Sequence, residues 1–142
     1  MREHLTGVLV KEVMNPAPVT VSPGTSVESV VHDAFLKCQC RAVPVATDHR
    51  AVGIVTLDDV KKVDKDRWAY TQAEEIMARG PLLSVSPDDD LNTVLRLLAR
   101  HGVNQLLVLQ GGELVGMVNR ADIIHRLEFS RELGMQRKPP GQ

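Results

Sequence analysis

The feature that most restricts what this chain can become is that it is written twice. Met14 and Met77, Gly53 and Gly116, and Asp59 and Asp122 each stand 63 residues apart. The triplet Val-Ser-Pro at 21–23 returns at 85–87, a spacing of 64, and the spacing is back to 63 at Val45 and Val108. Repetition over most of a 142-residue chain, with single-residue drifts of the kind loops tolerate, points to one supersecondary unit duplicated in tandem. A copy of about 55 residues with one short sheet cannot bury much apolar surface alone. The two copies are therefore expected to pack on each other.

Each copy repeats one hydrophobic pattern. Val27, Val30, Val31 and Ala34, and again Leu91, Val94, Leu95 and Leu98, follow the i, i+3, i+4, i+7 rhythm of an amphipathic helix. "TSVE" at 25–28 reads as a capping box, "DDD" at 88–90 places charge at a positive helix end, and Gly102 is placed to stop the second helix. "RAVPVA" and "AVGIV", like "NQLLVL" and "LVGMV", flank turn-rich stretches and read as hairpins. Thr56 and Asn119 are suited to cap a closing helix. Each copy thus reads β-α-β-β-α, an α/β (α+β) unit. Two of them are expected to pack with pseudo-twofold symmetry, at 8–63 and 73–128, joined by the linker 64–72 and followed by a disordered tail at 129–142.

Composition narrows the function. A net charge of −1 and only four aromatic residues (Phe35, Trp68, Tyr70, Phe129) argue against nucleic acid as a partner. Apolar runs of four or five residues are far short of the roughly 20 that cross a bilayer, and "MREHLTG" is too polar for a secretory signal. Cys38 and Cys40 are too few for a disulfide framework and close-set for a mutual bridge, which suggests a pair of thiols in a reducing cytoplasm. They also have no companion pair at zinc-site spacing, and the five histidines show no metal pattern. Trp68 and Tyr70 could stack on a base, or simply fill the groove that the linker crosses. No nucleophile elbow, Walker loop or paired catalytic acids are present, so turnover is not expected.

The doubled Met-x-x-x-Pro, Val-Ser-Pro, "hPV" and "hhGhhoxxD" positions (h apolar, o small polar) resemble a tandem pair of CBS domains, the Bateman module, over residues 8–128. "DKDRWAYTQAEEIM" and its surroundings resemble the CBS pair at the C-terminal end of site-2-protease-like zinc metallopeptidases, whose HExxH motif is absent here. The resemblance implies a regulatory module, not an enzyme. It would bind AMP, ADP, ATP or a related adenosyl ligand in the cleft between the repeats, need no cofactor, and pass the change to a partner such as a peptidase domain. It also implies a homodimer on the cytoplasmic side of any membrane. The alternative is a ligand-silent dimerisation scaffold.

"GIVTLDD" at 53–59 shows why such a ligand would suit this chain. Gly53 permits close approach of backbone or ligand. Thr56 offers a hydroxyl beside free amides at a helix start, where phosphate is favoured, and Asp59 could accept both ribose hydroxyls. The resemblance adds Arg41, before "hPV", as a phosphate-facing cation, with Thr20, Val43 and Asp58 also at the site. The same residues have a plain structural reading, since Thr56 would cap a helix and Asp59 would suit its dipole without any ligand. The second copy offers Asn104, Gly116, Asn119, Arg120 and Asp122. With Asn104 in place of Arg41 it loses a charge-assisted contact of about 1.5–3 kcal/mol, a ten- to hundredfold change in affinity. The second site is therefore expected to be weaker, with Arg120 restoring part of the loss.

Overall fold

The apolar stripes become helices in both copies, and the alternating runs between them become hairpins. The structure, a computed structural model, describes residues 7–135. In chain order its elements are α1 (Val10–Val13), α2 (Val27–Ser29), a π-helical stretch (Val30–Phe35), α3 (Leu36–Cys38), β1 (Ala42–Thr47), β2 (Arg50–Thr56) and α4 (Leu57–Lys61). After a 3-10 turn (Lys65–Arg67) come α5 (Ala73–Ile76), β3 (Ser84–Val85), α6 (Leu91–His101), β4 (Gln105–Gln110), β5 (Glu113–Asn119) and α7 (Arg120–Glu132). Helix α6 buries Leu91, Val94 and Leu98. Its N-cap is Asp90, which accepts from the Asn92 amide at 2.7 Å. Gly102 ends it in the left-handed conformation at φ 63°, which glycine adopts without steric cost.

The first-copy helix carries a π-helical stretch that accounts for the return of the spacing from 64 to 63. Val27 and Leu91 are 64 residues apart, whereas the left-handed residues that end the two helices, Gln39 and Gly102, are 63 apart. One extra residue therefore lies inside the first helix, and a π turn absorbs one residue without moving either end. Deleting the exposed His32 is expected to restore a regular α-helix and to leave stability within about 1 kcal/mol of the parent by urea denaturation. The cap of this helix is Ser26, whose hydroxyl accepts from the Ser29 amide at 3.1 Å. The capping box expected at Thr25 does not form, because the Thr25 hydroxyl pairs with that of Ser22 at 3.0 Å.

Strands β1 and β2 pair antiparallel in the register Val43↔Val55, Pro44↔Ile54 and Val45↔Gly53. In the second copy β3 runs parallel to β4, and the order is β3-β4-β5. The leading strand expected in the first copy is reduced to one parallel bridge, Val21↔Val45. The β-α-β-β-α reading also omitted a short helix that opens each copy, α1 and α5, with first residues Val10 and Ala73 set 63 apart.

Packing does not follow the order of the repeats. Among the described residues, one compact unit comprises Pro18–Leu83 with Gly111–Leu114, and the other comprises 7–17, Ser84–Gln110 and 115–135. The first unit closes its core of Val27, Val30, Phe35, Val43, Val45, Val55 and Val60 with Ala73 and Met77, which open the second repeat. The second unit closes its core of Leu91, Val94, Leu98, Leu106, Val108, Val118 and Ile123 with Val8 and Val10, which open the first repeat. The linker also belongs to the first unit. Trp68 packs on that core and its indole N–H donates to the Val63 carbonyl at 3.0 Å, while Tyr70 is exposed.

The repeated glycines serve this exchange of head segments. A Cβ on Gly53 would lie 2.7 Å from Met77 Cγ and 2.9 Å from the Ala78 carbonyl oxygen. One on Gly116 would lie 2.9 Å from the Asn15 carbonyl oxygen. Ile54 exchanges two backbone hydrogen bonds with Ala78, and Met117 does the same with Asn15. Gly53→Ala is thus expected to cost about 1–3 kcal/mol in urea denaturation. Gly24→Ala, with nothing within 4 Å of the added carbon, should change stability by under about 0.5 kcal/mol.

Two further expectations are corrected. Cys38 and Cys40 are bonded to each other as a disulfide, with Cα atoms 5.1 Å apart, because Gln39 between them adopts the left-handed conformation at φ 52° and folds the chain back. The tail expected from 129 begins inside α7, which buries Leu127 and Ser130 and runs to Glu132. Its last part, 136–142, lies outside the described residues. Among the described residues no helix is long and apolar enough to cross a membrane.

Candidate functional site

Strand β2 ends at Thr56 and α4 begins at Leu57, so the candidate site sits where a strand hands over to a helix start. Thr56 and Asp59 cap that start reciprocally. The Asp59 amide donates to Thr56 Oγ1 at 3.2 Å, and the Thr56 amide donates to Asp59 Oδ2 at 2.9 Å. Both side chains are half-buried. This exchange uses acceptor capacity on the hydroxyl and on one carboxylate oxygen. It leaves the Thr56 hydroxyl hydrogen and Asp59 Oδ1 without a hydrogen-bond partner among the described residues. The cap therefore forms without a ligand, and still presents one donor and one charged acceptor side by side.

Arg41 is brought to the same place by the backbone. Its carbonyl accepts from the Leu57 amide at 3.0 Å, tying the residue before β1 to the first turn of α4. Its side chain is exposed. Asp58 points to solvent and forms a 3.7 Å ion pair with Lys61, both side chains well exposed, a pairing worth little. Val43 is fully buried in the core, so its side chain faces the packing. Thr20 is exposed, and Gly53 lies under Met77 and Ala78. All seven of these first-copy residues fall within one compact unit.

The second copy reproduces the frame and changes the chemistry. The Asn104 carbonyl accepts from the Arg120 amide at 2.8 Å, the counterpart of the Arg41–Leu57 bond. The Asn119 backbone and side-chain amides both reach Asp122 Oδ2, at 3.4 and 3.3 Å. Asn119 thus directs a side-chain donor at the neighbouring carboxylate, where Thr56 keeps its hydroxyl hydrogen available. Arg120 and Asn104 are exposed, Asp122 is half-buried, and Gly116 is buried against Met14 and Asn15. Ala78 was not foreseen beside the first site, although it pairs with Ile54 two residues before Thr56. The repeated Met14 and Met77 were the signal for it, since each is followed by a residue that adds to a strand edge. Among the described residues no cluster of three or more His, Cys, Asp or Glu side chains could hold a metal ion.

Comparison with known proteins agrees with the duplication. The family model of the CBS domain matches residues 10–66 and again 73–128. A zinc metalloprotease of Methanocaldococcus jannaschii is 29% identical over 126 residues, covering 87% of this chain and 34% of the relative. The chain spans 34%, 44% and 35% of the length of three curated relatives that it matches. Among solved structures, an acetoin utilization protein (AcuB) of Vibrio cholerae superposes with a TM-score of 0.81 at 21% identity, covering 93% of this chain and 98% of the other. A CBS domain pair crystallised with 5′-methylthioadenosine and S-adenosyl-L-methionine superposes with a TM-score of 0.71 at 23% identity, covering 89% and 96%. At these identities the superpositions concern the fold.

Proposed function

The chain belongs to the CBS-domain family, and on that premise we propose that it is a regulatory module that binds an adenosyl ligand at Thr56 and Asp59. The ligand is AMP, ADP, ATP or a relative such as S-adenosyl-L-methionine or 5′-methylthioadenosine. Asp59 Oδ1 takes the ribose hydroxyls. The Thr56 hydroxyl and Arg41, with help from Thr20, meet phosphate where one is present. The observation that carries this reading is the pairing of Thr56 and Asp59 with Arg41 held at the same helix start. The adenosyl ligands of a structurally similar CBS pair support the choice of ligand class.

The module works as part of a larger assembly, as a homodimer in the cytoplasm or on the cytoplasmic face of a membrane. It biases an effector such as the peptidase domain found in the longer relatives. A ligand can shift such an effector only by its difference in affinity between two states, about 1–3 kcal/mol in typical cases. The Asn119–Asp122 site, with Asn104 and Arg120, is the weaker one, because it lacks both the free hydroxyl and the cation at the Arg41 position. A second reading, a scaffold without a ligand, is favoured by one feature: the Thr56–Asp59 cap is already closed on itself.

Calorimetric titration of the full chain with AMP, ATP, S-adenosyl-L-methionine and 5′-methylthioadenosine separates the two. At least one is expected to bind, and Asp59→Asn is expected to weaken it about ten- to hundredfold. Asp122→Asn should change the affinity less than about threefold, below about 1 kcal/mol. Absence of heat with all four ligands would leave the scaffold reading standing.

A further inference from the structure

The turn between α3 and β1 brings two sulfurs together by backbone geometry alone. Cys38 closes α3, and Gln39 follows at φ 52° and ψ 34°. That left-handed residue turns the chain back, so that Cys40 lies beside the helix end. The Cα atoms are 5.1 Å apart, inside the roughly 4.4–6.8 Å span that a disulfide bridges. The Cys40 amide donates to Cys38 Sγ at 3.3 Å, and the Gln39 amide keeps its helical bond to the Phe35 carbonyl at 2.9 Å. The second copy makes the same left-handed turn at Gly102, between His101 and Val103. The turn therefore belongs to the fold and does not depend on the sulfurs, which the first copy alone places on either side of it.

We propose that Cys38 and Cys40 are a reversible dithiol–disulfide couple that exchanges with a small-molecule disulfide of the glutathione class. One cysteine thiolate attacks a sulfur of oxidised glutathione, forming a mixed disulfide and releasing one glutathione thiolate. The second cysteine then attacks the protein-bound sulfur, and a second glutathione leaves. Two protein thiols lose two electrons, the glutathione disulfide gains them, and the two protons end on two glutathione molecules. Because the helix cap already holds the turn, the exchange needs no rearrangement of the chain. The bond constrains Gln39 and Cys40 immediately before Arg41, whose carbonyl is bonded to the Leu57 amide. Oxidation thereby stiffens the connection between the end of α3 and the start of α4. The couple does not rest on nucleotide binding.

The test equilibrates the full chain in glutathione buffers from reducing to oxidising, quenches with acid, alkylates, and reads intact mass. Two alkyl adducts are expected in reducing buffer and none in oxidising buffer, with complete return on re-reduction and without disulfide-linked dimers. Cys38→Ser is expected to stop at the mixed stage and carry one glutathione on Cys40. Hydrogen exchange at the Leu57 amide is expected to slow at least several-fold in the oxidised form. Two alkylatable thiols in oxidising buffer, or dimers linked through these cysteines, would overturn the couple. Equal Leu57 exchange in both forms would overturn the stiffening.

Discussion

Deleting residues 7–17 is expected to unfold the unit built from the second copy, although no deleted residue belongs to that copy. Val8 and Val10 are 2% and 0% exposed within its core, and burying each contributes about 1.5–3 kcal/mol. Five backbone hydrogen bonds leave with them: Val10 to Asp89, Lys11 to Pro87, Leu91 to Val8, and the Asn15–Met117 pair in both directions. At about 0.5–1.5 kcal/mol each, the combined loss is on the order of 6–13 kcal/mol, comparable with the whole stability of a small domain. Far-UV circular dichroism and amide exchange should report loss of α6, β4 and β5. A synthetic peptide of residues 7–17 added in trans should restore them in part. A deletion variant that keeps the protection of Leu106 and Val108 would show that the head segment does not complete this unit.

Leu91→Ala is a point substitution with a large expected cost. Leu91 opens α6, is 0% exposed, and its amide donates to the Val8 carbonyl at 3.0 Å. Alanine keeps that bond and the helix cap at Asp90, so the effect isolates the side chain. Removing it from a closed core costs about 2–5 kcal/mol, the upper part applying if the surroundings cannot collapse. The midpoint of urea denaturation measures this. Leu36→Ala, at a side chain 62% exposed, should stay within about 0.5 kcal/mol.

The duplication, the amphipathic helices and both hairpins were legible because they rest on periodicity, which is local. Thr56 as a cap and Gly102 as a stop were legible for the same reason. The exchange of head segments was not legible, because nothing in the pattern around Val10 or Ala73 states which repeat the helix will join. The shared cores and the close contacts at Gly53 and Gly116 reveal it. The cysteine bridge was missed for a different reason: sequence separation suggested crowding, while the left-handed Gln39 shortens the path. The extra residue in the first copy was visible as a drift in spacing, but its place inside a helix required the π turn. At the site, residue identity suggested Thr56 and Asp59 and the family resemblance added Arg41, while the backbone bond from Leu57 to Arg41 was beyond what a linear pattern can express.

The most direct measurement is a crystal structure of the full chain grown with a saturating adenosyl ligand. The account predicts ribose hydroxyls on Asp59 Oδ1, with any phosphate beside the Thr56 hydroxyl and Arg41. A ligand seated only on Asn119 and Asp122, or ordered crystals whose Asp59 and Thr56 keep their mutual cap and touch nothing else, would contradict it.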